Sequence, residues 1–374
     1  MDPRTRAITL AACGAVGLLT VVLALVLGGA APPSTPLNTI GADAADASTP
    51  VPEPSSTSFG VVATQGSGEA VTIAFGGDIH FEGRVGQVLA RDPAGVLAGV
   101  RPLLAGADLA MANLETAVTE RGTPVEGKEY TFRAPARAFA ALGAGGLDVV
   151  SMANNHGLDY GSTGLADSLA AARGAGFPVV GIGQSATEAY APWTTTVKGQ
   201  RIAIIGATAV LDDNLRSAWT AGENRAGLAS AYETERLMSA VRAARLLADT
   251  LVVYLHWGTE GQTCPNDTQP TLARSLVDAG ADIVVGGHSH RVEGAGRMGG
   301  AYVAYGLGNF AFYKDSGPGT ESGVLVVTAT GRRIDRADWH PVRLVGQLPR
   351  TLRGAEATEA SKSWDALRAC TGLG

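Results

Sequence analysis

Five of the six histidines in this chain stand at the ends of short apolar runs, most of them beside an acid, an amide or a second histidine. The endings read Asp78-Ile79-His80, Asn154-Asn155-His156, His256 and His288-Ser289-His290. A further run ends in Asn113-Leu114-Glu115. The runs themselves, at 71–75, 108–112, 147–152, 179–181, 201–206, 250–255 and 283–285, read as buried strands. Ala- and Leu-rich segments between them, at 135–144, 164–174, 231–247 and 271–280, are spaced as helices that cover a sheet. Strand-then-helix alternation predicts an α/β fold, with the runs at 302–305 and 323–328 as closing strands. In such sheets ligands bind outside the carboxyl ends of the strands. The polar endings are therefore expected to converge on one site.

The mixture of residue types points to metal chemistry. A hydrolytic site with two ions holds them about 3.5–4 Å apart, which needs a carboxylate between them. Imidazoles and a carboxamide oxygen complete such shells and suit a divalent transition metal, Mn, Fe or Zn, better than Ca or Mg. The expected ligands are Asp78, His80, Glu115, Asn155, His256, His288 and His290. Each ending also has a structural reading: Asp78 as a helix cap, Asn154-Asn155 as a turn, Glu115 paired with Arg121, His256 as a hydrogen-bonded core histidine. Their joint occurrence at strand ends favours the metal.

The N-terminus bears on the compartment. Arg4 and Arg6 precede an uncharged run over 7–31, long enough to cross a hydrocarbon core of about 30 Å. Basic residues before it favour an N-in orientation. The segment 1–31 is thus either a membrane anchor or, with Gly29-Ala30-Ala31 as a cleavage site, a signal peptide; both export the rest. Residues 32–70, rich in Pro, Ser, Thr and Ala, form an extended linker. A domain over 71–330 follows, then a C-terminal extension over 331–374 expected to pack on it. Cys264 and Cys370 in the exported part are either a disulfide or two separate thiols. A net charge of −6 without a basic stretch excludes a nucleic-acid partner.

Over 71–327 the sequence resembles the CapA family, poly-γ-glutamate capsule synthesis proteins with a calcineurin-like metallophosphatase fold. The carriers include Gly77-Asp78-Ile79-His80, Ala112-Asn113-Leu114-Glu115-Thr116, Tyr130-Thr131-Phe132-Arg133-Ala134-Pro135 and Asn154-Asn155-His156-Gly157-Leu158-Asp159-Tyr160-Gly161. His256-Trp257-Gly258-Thr259-Glu260, Gly287-His288-Ser289-His290 and Tyr305-Gly306-Leu307-Gly308-Asn309-Phe310 continue the set. The resemblance implies a four-layer α/β/β/α sandwich. It assigns Asp78, His80 and His290 to one metal and Asn155, His256 and His288 to another, with His156 near the leaving group. Metallophosphatases carry Gly-Asp where this chain has Ala112-Asn113, so the usual bridging Asp is absent and Glu115 is the expected substitute.

Two further residues are expected at the site. Arg133 either offers a planar fork to a phosphate or carboxylate or makes a structural pair, and Glu260 either positions a substrate amine or orients a histidine. The implied role is making, exporting or trimming an anionic cell-surface polymer, alongside other capsule synthesis or export proteins. The alternatives are an exported phosphoesterase and a non-catalytic scaffold of a polymer-export complex.

Overall fold

Alternate residues along the central strands bury on opposite faces, and this alternation sets the layering. The computed structural model describes residues 66–374. The expected membrane segment at 1–31 and nearly all of the 32–70 linker lie outside the described residues. Among the described residues no helix is long and apolar enough to cross a membrane.

Two sheets form the body. The first runs Leu348–Thr351, Arg333–Val345, Glu321–Thr330, Val71–Ile79, Leu109–Leu114, Val149–Ser151, Val179–Val180, with Asn309–Ala311 beside Val71–Ile79. The second runs Ala295–Met298, Ala301–Ala304, Ile283–His288, Thr250–Trp257, Gln200–Thr208, Trp193–Val197. The central strands of each are parallel, as strand–helix–strand connections require. Ile73 and Phe75 of the first sheet share one apolar core with Ile204, Val252 and Tyr254 of the second. Their neighbours face outward: Ala74, Ala110 and Val150 pack with Phe139 and Leu165, while Ile205, Val253 and Leu255 pack with Leu237 and Leu276. Helix, sheet, sheet, helix is the result. Period-two burial on both faces explains why these strands read as continuous apolar runs.

The helices anticipated from sequence form with shifted ends, at Arg137–Ala144, Gly161–Ala175, Thr234–Arg245 and Thr268–Ala279. Gly176 and Gly280 stop two of them in left-handed backbone, at φ 61° and 119°.

Two expectations need correction. The strands at 71–75 and 250–255 are longer than their apolar runs, ending at Ile79 and Trp257, so Asp78 and His256 are strand residues. Pairing with parallel neighbours carries the ladder past the apolar part, Asp78 opposite Asn113 and His256 opposite Gly287. The segment 331–374 is not an appendage. Arg333–Val345 and Leu348–Thr351 extend the first sheet, so the boundary expected at 330 falls in the turn of a hairpin. The chain then forms the helix Gly354–Ala366, whose Trp364 stacks on Trp339 with ring centres 4.6 Å apart. Cys264 and Cys370, left open by the sequence, are joined in a disulfide with Cα atoms 5.7 Å apart.

Candidate metal centre

The carboxyl ends of the parallel strands of both sheets meet at one edge, and the polar endings meet there. Close approach is achieved by glycines. A Cβ on Gly287 would stand 2.3 Å from Asp78 Oδ1, and one on Gly77 would stand 1.9 Å from the carbonyl oxygen of Gly308. Glycine is thus required before both Asp78 and His288. His288 and His290 themselves have φ of 93° and 55°. Backbone held in this region by a non-glycine residue costs of order 1–3 kcal/mol and is characteristic of functional sites.

Asp78 is fully buried. Its Oδ1 accepts from Asn113 Nδ2 at 2.8 Å and its Oδ2 from the His288 amide at 2.9 Å. Burial pushes its carboxyl up to about 6, against the pull of these two donors. Glu115 differs. Both of its oxygens are buried without a hydrogen-bond partner, and burial, with the negative charge of Asp78 and Glu260 added, drives its carboxyl well above the usual range. A buried carboxylate without hydrogen-bond donors is costly, and the Lys128 ammonium offsets that cost only in part.

Imidazoles surround that carboxylate. Glu115 Oε1 lies 3.6 Å from His256 Nε2, 3.8 Å from His156 Nε2 and 3.9 Å from His290 Nε2. Burial holds His256 well below the ordinary histidine range, His288 at about 3 and His290 at about 4. These rings are therefore neutral, with lone pairs available. His288 Nδ1 is a further buried atom without a hydrogen-bond partner.

Among the described residues two groups bring their ligand atoms within 4.8 Å of one another: Glu115 with His288 and His290, and Asp78 with Glu115 and His256. Glu115 belongs to both. Orphaned buried oxygens, deprotonated imidazoles and a shared carboxylate fit a divalent metal centre. The resemblance pairs His290 with Asp78, and His290 Nδ1 lies 3.6 Å from Asp78 Oδ2; it pairs His288 with His256, and their ring centres lie 4.8 Å apart. Asn155, in turn, places Oδ1 2.7 Å from His256 Nε2.

His80 joins neither group. Its Nδ1 accepts from the Glu82 amide at 3.0 Å, and its ring lies among Phe312, Phe132 and Tyr313, with ring centres 3.9, 4.5 and 4.8 Å away. The strand ends at Ile79, and the chain beyond it carries this ring into an aromatic wall. Asn113 likewise is a connector. Its amide nitrogen reaches Asp78 and His256 Nδ1, and its oxygen accepts from Asn154 Nδ2 at 3.0 Å.

His156 is held from behind. Nδ1 lies 2.7 Å from Asp159 Oδ2, and Asp159 Oδ1 pairs with the buried Lys128 ammonium at 2.6 Å. Asp159 Oδ2 also accepts from the Phe132 amide, whose ring stacks on His156 at 4.2 Å. Burial lowers the His156 pKa, opposed by the Asp159 hydrogen bond. The arrangement points Nε2 towards Glu115. Sequence reasoning named no role for Asp159, although it lies three residues after His156 in the same motif. Lys128 carried no local signal: it comes from a loop 31 residues before Asp159.

A cavity of about 460 Å³ opens onto His156 and His290, with Tyr130, Phe132, Phe312 and Tyr313 as aromatic lining and Glu260, Arg291 and Lys314 as charged lining. A larger one, about 760 Å³, lies against the C-terminal helix and touches none of these groups. Size does not locate the chemistry here. Glu260 is exposed at the cavity, but Arg133 is not part of the lining. Its guanidinium sits over the Tyr160 ring, 5.0 Å from the centre.

Residues 72–314 match the bacterial capsule synthesis protein family PGA_cap. The chain is 32% identical over 249 residues to the PGA biosynthesis protein CapA of Bacillus subtilis, covering 66% of this chain and 64% of that one. It is 30% identical over 250 residues to the capsule biosynthesis protein CapA of Bacillus anthracis, covering 65% and 60%. The chain thus spans somewhat less than two thirds of either relative. A probable polyglutamine synthesis accessory protein of Mycobacterium tuberculosis is 32% identical over 210 residues, covering 54% and 55%. With more than half of its length matched, the chain belongs to the bacterial capsule synthesis protein family PGA_cap.

Proposed function

We propose that this protein is a membrane-tethered, extracytoplasmic hydrolase with a metallophosphatase-type fold, dependent on a divalent transition metal and acting on an anionic cell-surface polymer of the γ-linked polyglutamate class. The observation that carries the reading is Glu115, whose two buried oxygens lack any hydrogen-bond partner and which belongs to both ligand groups. Asp78 and His256 on one side, and His288 and His290 on the other, would hold two ions with Glu115 between them. A bound divalent ion would supply Lewis acidity and an activated water at neutral pH.

The remaining steps fall to the chain itself. Water adds its hydroxyl to the γ-glutamyl carbonyl carbon, the C–N bond breaks, and the departing amine nitrogen takes up a proton. His156 Nε2 takes the proton that the water releases as its O–H bond breaks and passes it to the amine nitrogen, with Asp159 holding the ring through Nδ1. Phe132 covers one face of the His156 ring, and Phe312 and Tyr313 line the same cavity. The apolar segment at 7–31 behind Arg4 and Arg6 supports the tether. The Cys264–Cys370 disulfide supports an oxidising compartment.

Full-length protein reconstituted with Mn, Fe or Zn should release glutamate or short oligomers from γ-linked polyglutamate, and His156→Ala should slow release by about 10²–10⁴-fold while the metal is retained. Turnover of phosphoesters alone would make it an exported phosphoesterase. Retained metal with no turnover of either substrate would make it a scaffold of a polymer-export complex.

A further inference from the structure

The anion-binding role expected for Arg133 has no support at the cavity, because its guanidinium is stacked on Tyr160 outside the lining. Two other cations line the cavity together with His156 and His290. Arg291 follows the ligand candidate His290 directly. Its Nη1 donates to the Gly261 carbonyl at 3.3 Å, but its Nε is buried with no partner. Lys314 is exposed, and among the described residues its ammonium makes no hydrogen bond or ion pair. Neither cation forms an ion pair with an acid among the described residues.

Both cations are also tied to the ligands. Asn309 Oδ1 lies 2.9 Å from His290 Nδ1, while its amide nitrogen donates to the Gly319 carbonyl at 2.8 Å. A Cβ on Gly319 would stand 3.4 Å from Lys314 Cγ, so the lysine stem packs across that glycine. One amide thus links the ring of a ligand candidate to the loop that bears Lys314. Glu260 is the single carboxylate of the lining, against these two cations. In a protein of net charge −6, this local excess of positive charge selects for anions. The aromatic lining lowers the local dielectric and strengthens the selection.

We propose that Arg291 and Lys314 form an anion anchor that holds a carboxylate of the substrate chain beside the reacting bond. That the anion belongs to a γ-linked glutamate chain rests on the function proposed above; the anchor itself does not.

The test is calorimetric titration of metal-loaded full-length protein with a γ-linked glutamate oligomer and with the matching oligomer of glutamine, which lacks the charges. Lys314→Ala should weaken binding of the anionic oligomer about tenfold, flatten its salt dependence by about one charge and leave binding of the neutral oligomer unchanged. Lys314→Arg should restore it, and Arg291→Gln should weaken it similarly, with metal content unaltered in all three. Wild-type affinity and salt slope in Lys314→Ala overturn the anchor. If wild type ignores both oligomers yet binds a phosphomonoester that Lys314→Ala loses, the anchor stands and the polymer reading falls. If wild type binds no anion, the anchor is wrong.

Discussion

Glu115 Oε1 and His156 Nε2 face one another across 3.8 Å, both buried, one without any hydrogen-bond partner and the other oriented from behind by Asp159. A carboxylate so isolated and an imidazole so constrained assign different tasks to neighbouring groups. On the proposed function, Glu115 would receive a cation and His156 would move a proton.

Replacing Glu115 by Gln should therefore separate stability from metal binding. The substitution removes a buried, unpartnered carboxyl, so the melting temperature of the metal-free protein should hold or rise. The rise in melting temperature that divalent metal gives wild type should disappear. Thermal unfolding with and without Mn or Zn checks both. A variant that is destabilised without metal yet still stabilised by it would contradict the assignment.

Acid should act in two ways. His80, His156, His256, His288 and His290 are all held below the ordinary histidine value, chiefly by burial. Unfolded histidine protonates near 6.5, so the stability from neutral burial is present above that pH and is lost as pH falls towards about 4 and 3 for His290 and His288. Asp78 and Glu115 are raised and run the other way; Asp78 stabilises below its unfolded value and loses this as pH rises through about 6. Five imidazoles outweigh two carboxylates between pH 6.5 and 4. The metal-free protein should lose melting temperature across that interval, and metal affinity should fall below pH 6 as Asp78 protonates. Flat profiles in unfolding and metal titrations would count against the buried neutral cluster.

His156→Ala should lower turnover by about 10²–10⁴-fold, the usual contribution of a positioned acid or base. Asp159→Asn should lose at least tenfold through misorientation of the ring, with metal content unchanged in both. The pH–rate profile distinguishes positioning from mere packing: Asp159→Asn should move the limb that reports His156. A lowered rate with an unmoved profile would leave Asp159 only a structural role.

Cys370→Ser should cost about 2–4 kcal/mol, since the bridge closes a loop of 106 residues. None of the ligand candidates lies between Gly258 and Asp267, so metal content should survive. Chemical denaturation and elemental analysis of the variant check the two halves separately.

Much of this was legible because the two signals coincide. Apolar runs such as 71–75 and 250–255 announce strands, and polar residues that follow them announce the edge where a site forms. Asp78, Glu115, His256, His288 and His290 were readable for that reason. The aromatic environment of His80 was not, because Phe132, Phe312 and Tyr313 come from distant loops. Lys128 and Arg291 were hidden likewise: a charged residue in a loop declares its burial only once the loop is placed. The C-terminal strands escaped because Arg333–Val345 mixes buried, half-buried and exposed positions without a clear alternation and carries three arginines, which masks its apolar face.

The central claim is that Glu115 joins two metal positions. Electron paramagnetic resonance of Mn-loaded full-length protein, with metal counted in the same sample, tests it most directly. The account predicts two ions per chain with an exchange-coupled spectrum in wild type, collapsing to at most one uncoupled ion in Glu115→Gln. One uncoupled ion in wild type, with the same spectrum in the variant, would contradict it.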